Sequence, residues 1–140
     1  MDYKIRFATH DDHDLIYGLK AESVRPYVEK IWGWDENYQK KDFDGDFCHI
    51  EQFNVIEVVG KFVGFVQYYF ECPYFEVVEI HLLPEYRGKG IGSDILRYLQ
   101  KVCIAQDRKI RIGCFKENYR AKALYQKLGF MQTEETDTHY

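Results

Sequence analysis

Proline is scarce in this chain, its cysteines form no pattern, and neither a charge run nor a long apolar run is present. Each shortage removes a class of protein. The only prolines are Pro26, Pro73 and Pro84, each isolated, so no polyproline linker or low-complexity tract divides the chain. The four cysteines, Cys48, Cys72, Cys103 and Cys114, make no C-x-x-C pair, and no histidine pair sits at zinc-finger spacing. That argues against a disulfide framework or a structural metal site, and no metal is expected. Free thiols suit a reducing, cytoplasmic setting. The first residues carry no basic-then-apolar leader. No apolar stretch reaches the ~18 residues a membrane helix needs, so no membrane attachment is expected. A net charge of −4 without a lysine and arginine run gives nucleic acid no electrostatic footprint.

What is present is a globular composition. Of 140 residues, 46% are hydrophobic and 30% charged, which suits one domain over 1–140 with a core of its own. Aromatics reach 17%, more than a core of this size needs, so some should line a pocket.

The periodicities give an element order. Tyr3 to Ala8 alternates like a half-buried strand. Thr9, followed by Asp11 and Asp12, reads as a helix start, with Leu15, Ile16 and Leu19 at helical spacing. Pro26 is expected to open a second helix carrying Tyr27, Val28 and Ile31, and Asp35 to cap a third through about Phe43. Phe53 to Val59, Phe62 to Glu71 and Tyr74 to Leu83 read as an antiparallel three-strand meander, broken at Gly60-Lys61 and Cys72-Pro73. Ile91, Ile95, Leu96, Leu99, Val102 and Cys103 form one helical stripe. Lys109 to Phe115 returns to strand. A helix capped by Asn118 carries Ala121, Leu124, Tyr125 and Leu128, stops at Gly129, and a short strand should follow from Phe130. The class is mixed α+β, and the strand–helix–strand crossover over 74–115 implies one parallel strand pair.

Between strand and helix lies Arg87-Gly88-Lys89-Gly90-Ile91-Gly92. Glycines at alternate positions let a backbone approach an anion closely. The first helical amides are unpaired, and with the helix dipole they favour a phosphate, to which Arg87 and Lys89 add charge. The spacing is not the dinucleotide G-x-G-x-x-G, because the third glycine comes one residue early. The acidic ribose partner is missing after Ile112-Gly113-Cys114-Phe115, and the P-loop pattern is absent.

This turn resembles the pyrophosphate motif (Gln/Arg)-x-x-Gly-x-(Gly/Ala) of the GCN5-related N-acetyltransferase (GNAT) superfamily, met by Arg87, Gly90 and Gly92. The run Asn118-Tyr119-Arg120-Ala121-Lys122-Ala123-Leu124-Tyr125-Gln126-Lys127-Leu128-Gly129-Phe130 is similar to a later family segment. The two motifs, in order, cover about 74–130. The resemblance implies the acyl-CoA N-acyltransferase fold, a mostly antiparallel sheet with one splayed parallel pair, flanked by helices. It implies acetyl-CoA as co-substrate and direct transfer of an acetyl group to a primary amine, without a covalent enzyme intermediate. The cofactor is expected along His81, Leu82 and Leu83, over the amides of Arg87, Gly88, Lys89, Gly90, Ile91, Gly92 and Ser93, and beside Asn118 and Tyr125.

By the same resemblance Tyr125 is the general acid. The departing thiolate has a pKa near 8.5, and a hydroxyl beside it can stabilise the developing charge. Tyr125 also sits on its helix's apolar stripe, where it can be core alone. Glu79 and His81 lie two apart on one strand and share a face. Glu79 is a candidate base, directly or through water, and the pair also reads as an ordinary solvated pair on a sheet. Cys114 reads as a small hydrophobe rather than a nucleophile.

Tyr27, Trp32, Trp34 and Tyr38, among acidic neighbours and with His81, are the candidate acceptor-binding residues, since aromatic walls with carboxylates suit an amine. They read equally well as helices covering a sheet. The acceptor is a small-molecule or peptide amine of undetermined identity. An unpaired final strand edge leaves room for a homodimer. The alternative function is a non-catalytic CoA-binding regulatory module, which needs the turn but neither Tyr125 nor Glu79.

Overall fold

Where apolar residues alternate the chain forms strands, and where they recur every three or four it forms helices. The computed structural model describes residues 2–140. Strand β1 (Lys4–Phe7) leads through a 3-10 turn at His10–Asp12 into α1 (His13–Trp32) and α2 (Glu36–Phe47). The meander of β2 (Phe53–Val58), β3 (Lys61–Glu71) and β4 (Tyr74–Leu82) follows. Then come α3 (Ile91–Ala105), β5 (Lys109–Ile112) and α4 (Tyr119–Lys127). The sheet order is β1-β2-β3-β4-β5, antiparallel except for the β4–β5 pair, which is parallel. Among the described residues no helix is long and apolar enough to cross a membrane.

Each sheet face is covered by helices. Ile16 and Leu19 of α1 and Phe43 and Phe47 of α2 pack on Phe53, Val55 and Phe65. Ile91, Ile95, Leu96 and Leu99 of α3 pack on Ile56, Val63, Val66 and Val77 on the other face, with Tyr125 of α4 and Leu128 just after it against them. Each large side chain so removed from water contributes about 1.5–3 kcal/mol before entropy is counted.

Two elements differ from expectation. The helix break at Pro26 is absent, and α1 runs through it for 20 residues. Burial of Ile16, Leu19 and Val28 along one continuous helix outweighs the lost hydrogen bond. Proline has no N–H, so the Glu22 carbonyl loses its helical partner there. The strand expected from Phe130 does not form. Residues 130–137 take no regular structure, and the chain returns only at a single bridge, Phe115 to His139. Backbone bonds tie that return: Cys114 and Tyr140 exchange two, at 3.2 and 2.9 Å, and the Lys116 amide donates to Thr138 O at 2.9 Å.

β1 is anchored by charge. Arg6 makes two 2.8 Å bonds to the buried Asp12 carboxylate and one of 3.1 Å to Glu57. Arg6 hydrogen bonding holds the Asp12 carboxyl below its ordinary 3.8 against the opposing effect of burial. A depressed folded pKa gives stability that is complete above pH 3.8 and is lost as pH falls through the folded value. The Arg6→Ala variant is expected to lose about 2 kcal/mol at pH 7, with the difference from wild type shrinking in acid. Urea unfolding at pH 7 and at pH 3 checks this, and an equal gap at both would contradict it.

A bulge shapes β4. Gln67 pairs with Glu79 and Tyr68 with Val77, so Val78 has no partner on β3. The extra residue shifts the strand's alternation. Val77 and Ile80 therefore both face the α3 layer, and Glu79 and His81 face α1. Beside the strand end, Gly64 of β3 has no room for a side chain. A Cβ there would overlap the His81 carbonyl oxygen and stand 2.8 Å from Leu82 Cδ2.

Candidate active site

Pairing between β4 and β5 ends at Val77 and Ile112, while β4 continues to Leu82. The chain after Ile112 leaves the sheet, so Val78 to Leu82 has a free edge on that side. A cleft of about 800 Å³ opens there, between α1 at Ser23 and Tyr27, the glycine turn, and α4 at Tyr125. Its size is that of small-molecule and cofactor sites.

The turn is shaped as an anion cradle. Gly88 and Gly90 have φ of +72° and +89°, the left-handed region that other residues adopt at a cost. Gly90 starts α3 without any side-chain cap. The Arg87 amide bonds to Pro84 O at 3.2 Å, whereas among the described residues the amides of Gly88 to Ser93 have no backbone acceptor. A Cβ on Gly92 would meet only Leu82 Cδ1, at 4.0 Å. The protein itself thus leaves room for a Cβ at 92. These features fit a diphosphate. Lys89 is exposed and is not among the residues that line the cleft. Arg87 turns back, its Nε donating to Leu82 O at 2.9 Å, and so fastens the turn to the end of β4.

Tyr125 lines the same cleft. Burial pushes its phenol well above the ordinary 10, and among the described residues its hydroxyl makes no hydrogen bond. It is a neutral donor with nothing to donate to. Asn118 caps α4, its Oδ1 accepting from the Ala121 amide at 3.1 Å, which leaves its side-chain N–H groups for the cleft. Cys114 also lines the cleft, and burial pushes its thiol up, which keeps it protonated and poorly nucleophilic.

Glu79 and His81 emerge together. His81 Nε2 lies 3.5 Å from Glu79 Oε1, and Lys20 Nζ of α1 lies 3.2 Å from Glu79 Oε2. Burial alone would raise the Glu79 carboxyl, but His81 and Lys20 together hold it below its ordinary value. The angles at Glu79 Oε2 and His81 Nε2 leave both without a hydrogen bond, as is the nearby Ser23 Oγ. Buried polar atoms left open beside a cleft point to a polar occupant or water. Lys20 was legible only as the position four after Ile16, on the buried stripe of α1.

The candidate acceptor residues separate. Tyr27 reaches the cleft and stacks on Phe115 at 5.2 Å, and His81 reaches it too. Trp32 and Tyr38 lie outside the cleft's lining and are 63% and 62% exposed. Trp34 is also outside it, held by Glu36 at 2.7 Å and lying under Arg25.

A sheet opened between its one parallel pair, with a glycine turn at the opening, is the acyl-CoA N-acyltransferase fold. The model of the acetyltransferase (GNAT) family matches residues 16–130, and this chain belongs to that family. An uncharacterised N-acetyltransferase of Methanocaldococcus jannaschii is 33% identical over 149 aligned positions, which take in 94% of this chain and 62% of the relative. The chain thus spans less than two thirds of that relative's length. An uncharacterised N-acetyltransferase of Archaeoglobus fulgidus is 29% identical, over 87% of this chain and 88% of the relative. Among solved structures, the PaiA N-acetyltransferase of Thermoplasma acidophilum in complex with coenzyme A shares the fold. Its TM-score is 0.72 at 20% identity, covering 99% of this chain and 98% of that one.

Proposed function

We propose that this protein transfers an acetyl group from acetyl-CoA to a primary amine by direct attack, in one domain. The observation that carries the reading is the run of unpaired amides at Gly88–Ser93 leading into the gap beside Val78–Leu82. Acetyl-CoA supplies the acetyl group as an activated thioester. The amides of the turn hold the diphosphate, and Gly92 lets it lie close. The free edge of β4 accepts the amide-bearing arm as an added strand would be accepted. Asn118 orients it from α4. Tyr125 donates a hydrogen bond to the sulfur as negative charge gathers there. Glu79, paired with Lys20 and His81, gives the acceptor side a fixed carboxylate, and Tyr27 gives it an aromatic wall.

A screen tests this. Purified protein with acetyl-CoA is offered polyamines, aminoglycosides, amino acids, dipeptides and lysine-containing peptides, and thiol release is followed. At least one amine should release thiol above the rate of hydrolysis. Binding of CoA with no turnover of any amine would instead favour the regulatory CoA-binding module.

A further inference from the structure

Resting on the acyl-transfer reading above, we propose that His139, in the tail that returns beside Phe115, is the base that takes the acceptor amine's proton on its Nε2. Glu79 is poorly suited to that work. Its carboxylate already faces an ammonium, Lys20 Nζ at 3.2 Å, and its proton affinity is reduced. An alkylammonium near pKa 10.4 gains little from so weak a base.

His139 is placed for it. The residue lines the cleft that Tyr125 and Tyr27 also line. Its ring lies 4.2 Å from that of Phe115, which in turn stacks on Tyr27, so three rings stand in a row across the cleft. The imidazole is braced on one side only. Nδ1 is 2.7 Å from Thr138 Oγ1, while Nε2 has no hydrogen bond among the described residues. With Nδ1–H donating to Thr138, the Nε2 lone pair is left for a proton. The backbone is held by the Phe115 bridge, by Thr136 N to His139 O at 2.9 Å, and by His139 N to Thr136 Oγ1 at 3.0 Å. Burial keeps the ring's pKa below 6.5, so it is neutral at pH 7.

Several of the charges around it are paired or otherwise engaged. Lys116 pairs with Glu135 at 2.8 Å, Arg111 pairs with Glu76 at 2.6 Å, and Lys122 lies over the Tyr140 ring. Cys114 and Tyr125 are neutral, and Arg120 and Glu79 line the same cleft. Glu134 and Asp137 are the remaining acidic side chains on the tail.

The step balances. The ammonium gives one proton to His139 Nε2, and the free amine bonds the acetyl carbon while the carbon–sulfur bond breaks. The sulfur keeps the bonding pair under the Tyr125 hydrogen bond until it is protonated. The product nitrogen loses its extra proton to water, and the imidazolium then releases its own.

The test has two arms. Histidine Cε1 is 13C-labelled, and the His139 signal is identified by its loss in His139→Gln, which keeps a hydrogen-bonding side chain. That signal should titrate below pH 6.5 and move when CoA is added. A midpoint at or above 6.5, or a signal blind to CoA that calorimetry shows to be bound, overturns the proposal. With an amine from the screen, His139→Gln should lower turnover about 100-fold at unchanged CoA affinity. It should also lose the fall in rate that wild type shows as pH drops through the imidazole's pKa. Imidazole added to His139→Ala should restore part of the rate. Full turnover with an unchanged pH profile overturns the proposal. Absence of CoA binding in wild type is a failure of the acyl-transfer reading itself and appears in calorimetry before either arm. If no amine is turned over, the titration arm decides.

Discussion

Replacing Tyr125 with phenylalanine is expected to lower turnover about 100-fold while coenzyme A binds as before. Among the described residues the hydroxyl makes no hydrogen bond, so its removal disturbs no network there. The ring, packed between Phe130 at 5.9 Å and the α3 core, stays. The physical content lies in the order of acidities. The phenol is pushed well above 10, whereas a free thiol sits near 8.5. Full proton transfer from tyrosine to sulfur is therefore uphill. On the proposed reading the hydroxyl would contribute a short hydrogen bond to the forming thiolate, in a site partly closed to water. No fall in rate from Tyr125 ionisation should appear below pH 10. Thiol-release kinetics with calorimetric titration of CoA check both halves. A Tyr125→Phe enzyme with wild-type turnover removes tyrosine from the chemistry and leaves it as core.

The second large effect is expected at Gly92. A Gly92→Val protein should bind coenzyme A at least about 100-fold more weakly, near 2.8 kcal/mol, with its melting temperature nearly unchanged. Only one Leu82 methyl, 4.0 Å away, lies near the Cβ that the substitution adds. The fold has room for that Cβ, whereas a diphosphate lying against the first helical turn would be pushed away by the added side chain. A glycine kept for the chain's own conformation behaves otherwise. At Gly90, with φ of +89°, any side chain is strained, and lost binding would be confounded with lost structure. Calorimetry and thermal unfolding on the same sample separate the two. Unchanged affinity would mean that the anion lies elsewhere.

The parts of the fold legible in the sequence are those written in periodicity. The meander, the α3 stripe, the Asp35 and Asn118 caps and the glycine turn follow from residue spacing, and their observed ends fall close to the expected ones. The Lys109 strand is shorter than its alternation suggests. Its partner diverges after Val77, and alternation carries no record of where a neighbour leaves. Pro26 misled because a proline's local cost is visible in sequence while the burial that outweighs it is a tertiary sum. The tail is opaque for a similar reason: Phe130 to Asp137 is polar and weakly patterned, and only its last residues find a partner.

The site divides along the same line. The glycine turn, Tyr125 and Asn118 lie on local motifs and line one cleft together. Trp32, Trp34 and Tyr38 share a stretch of sequence with Tyr27, yet the helix directions send only Tyr27 to the cleft. Lys20 and His139 come from opposite ends of the chain, and no local pattern couples either to β4.

The unpaired Val78 works as an indexing tooth. Were it paired in the ladder, the alternation would run unbroken past Val77, and the carboxylate and imidazole two and four residues on would turn into the oily layer under α3. Ile80 and Leu82 would turn out against α1. A shift of register that paired Val78 in the ladder would thus exchange the wet and dry sides of the whole strand end without altering one side chain. The polarity of this cleft is set by a count of residues as much as by their identity.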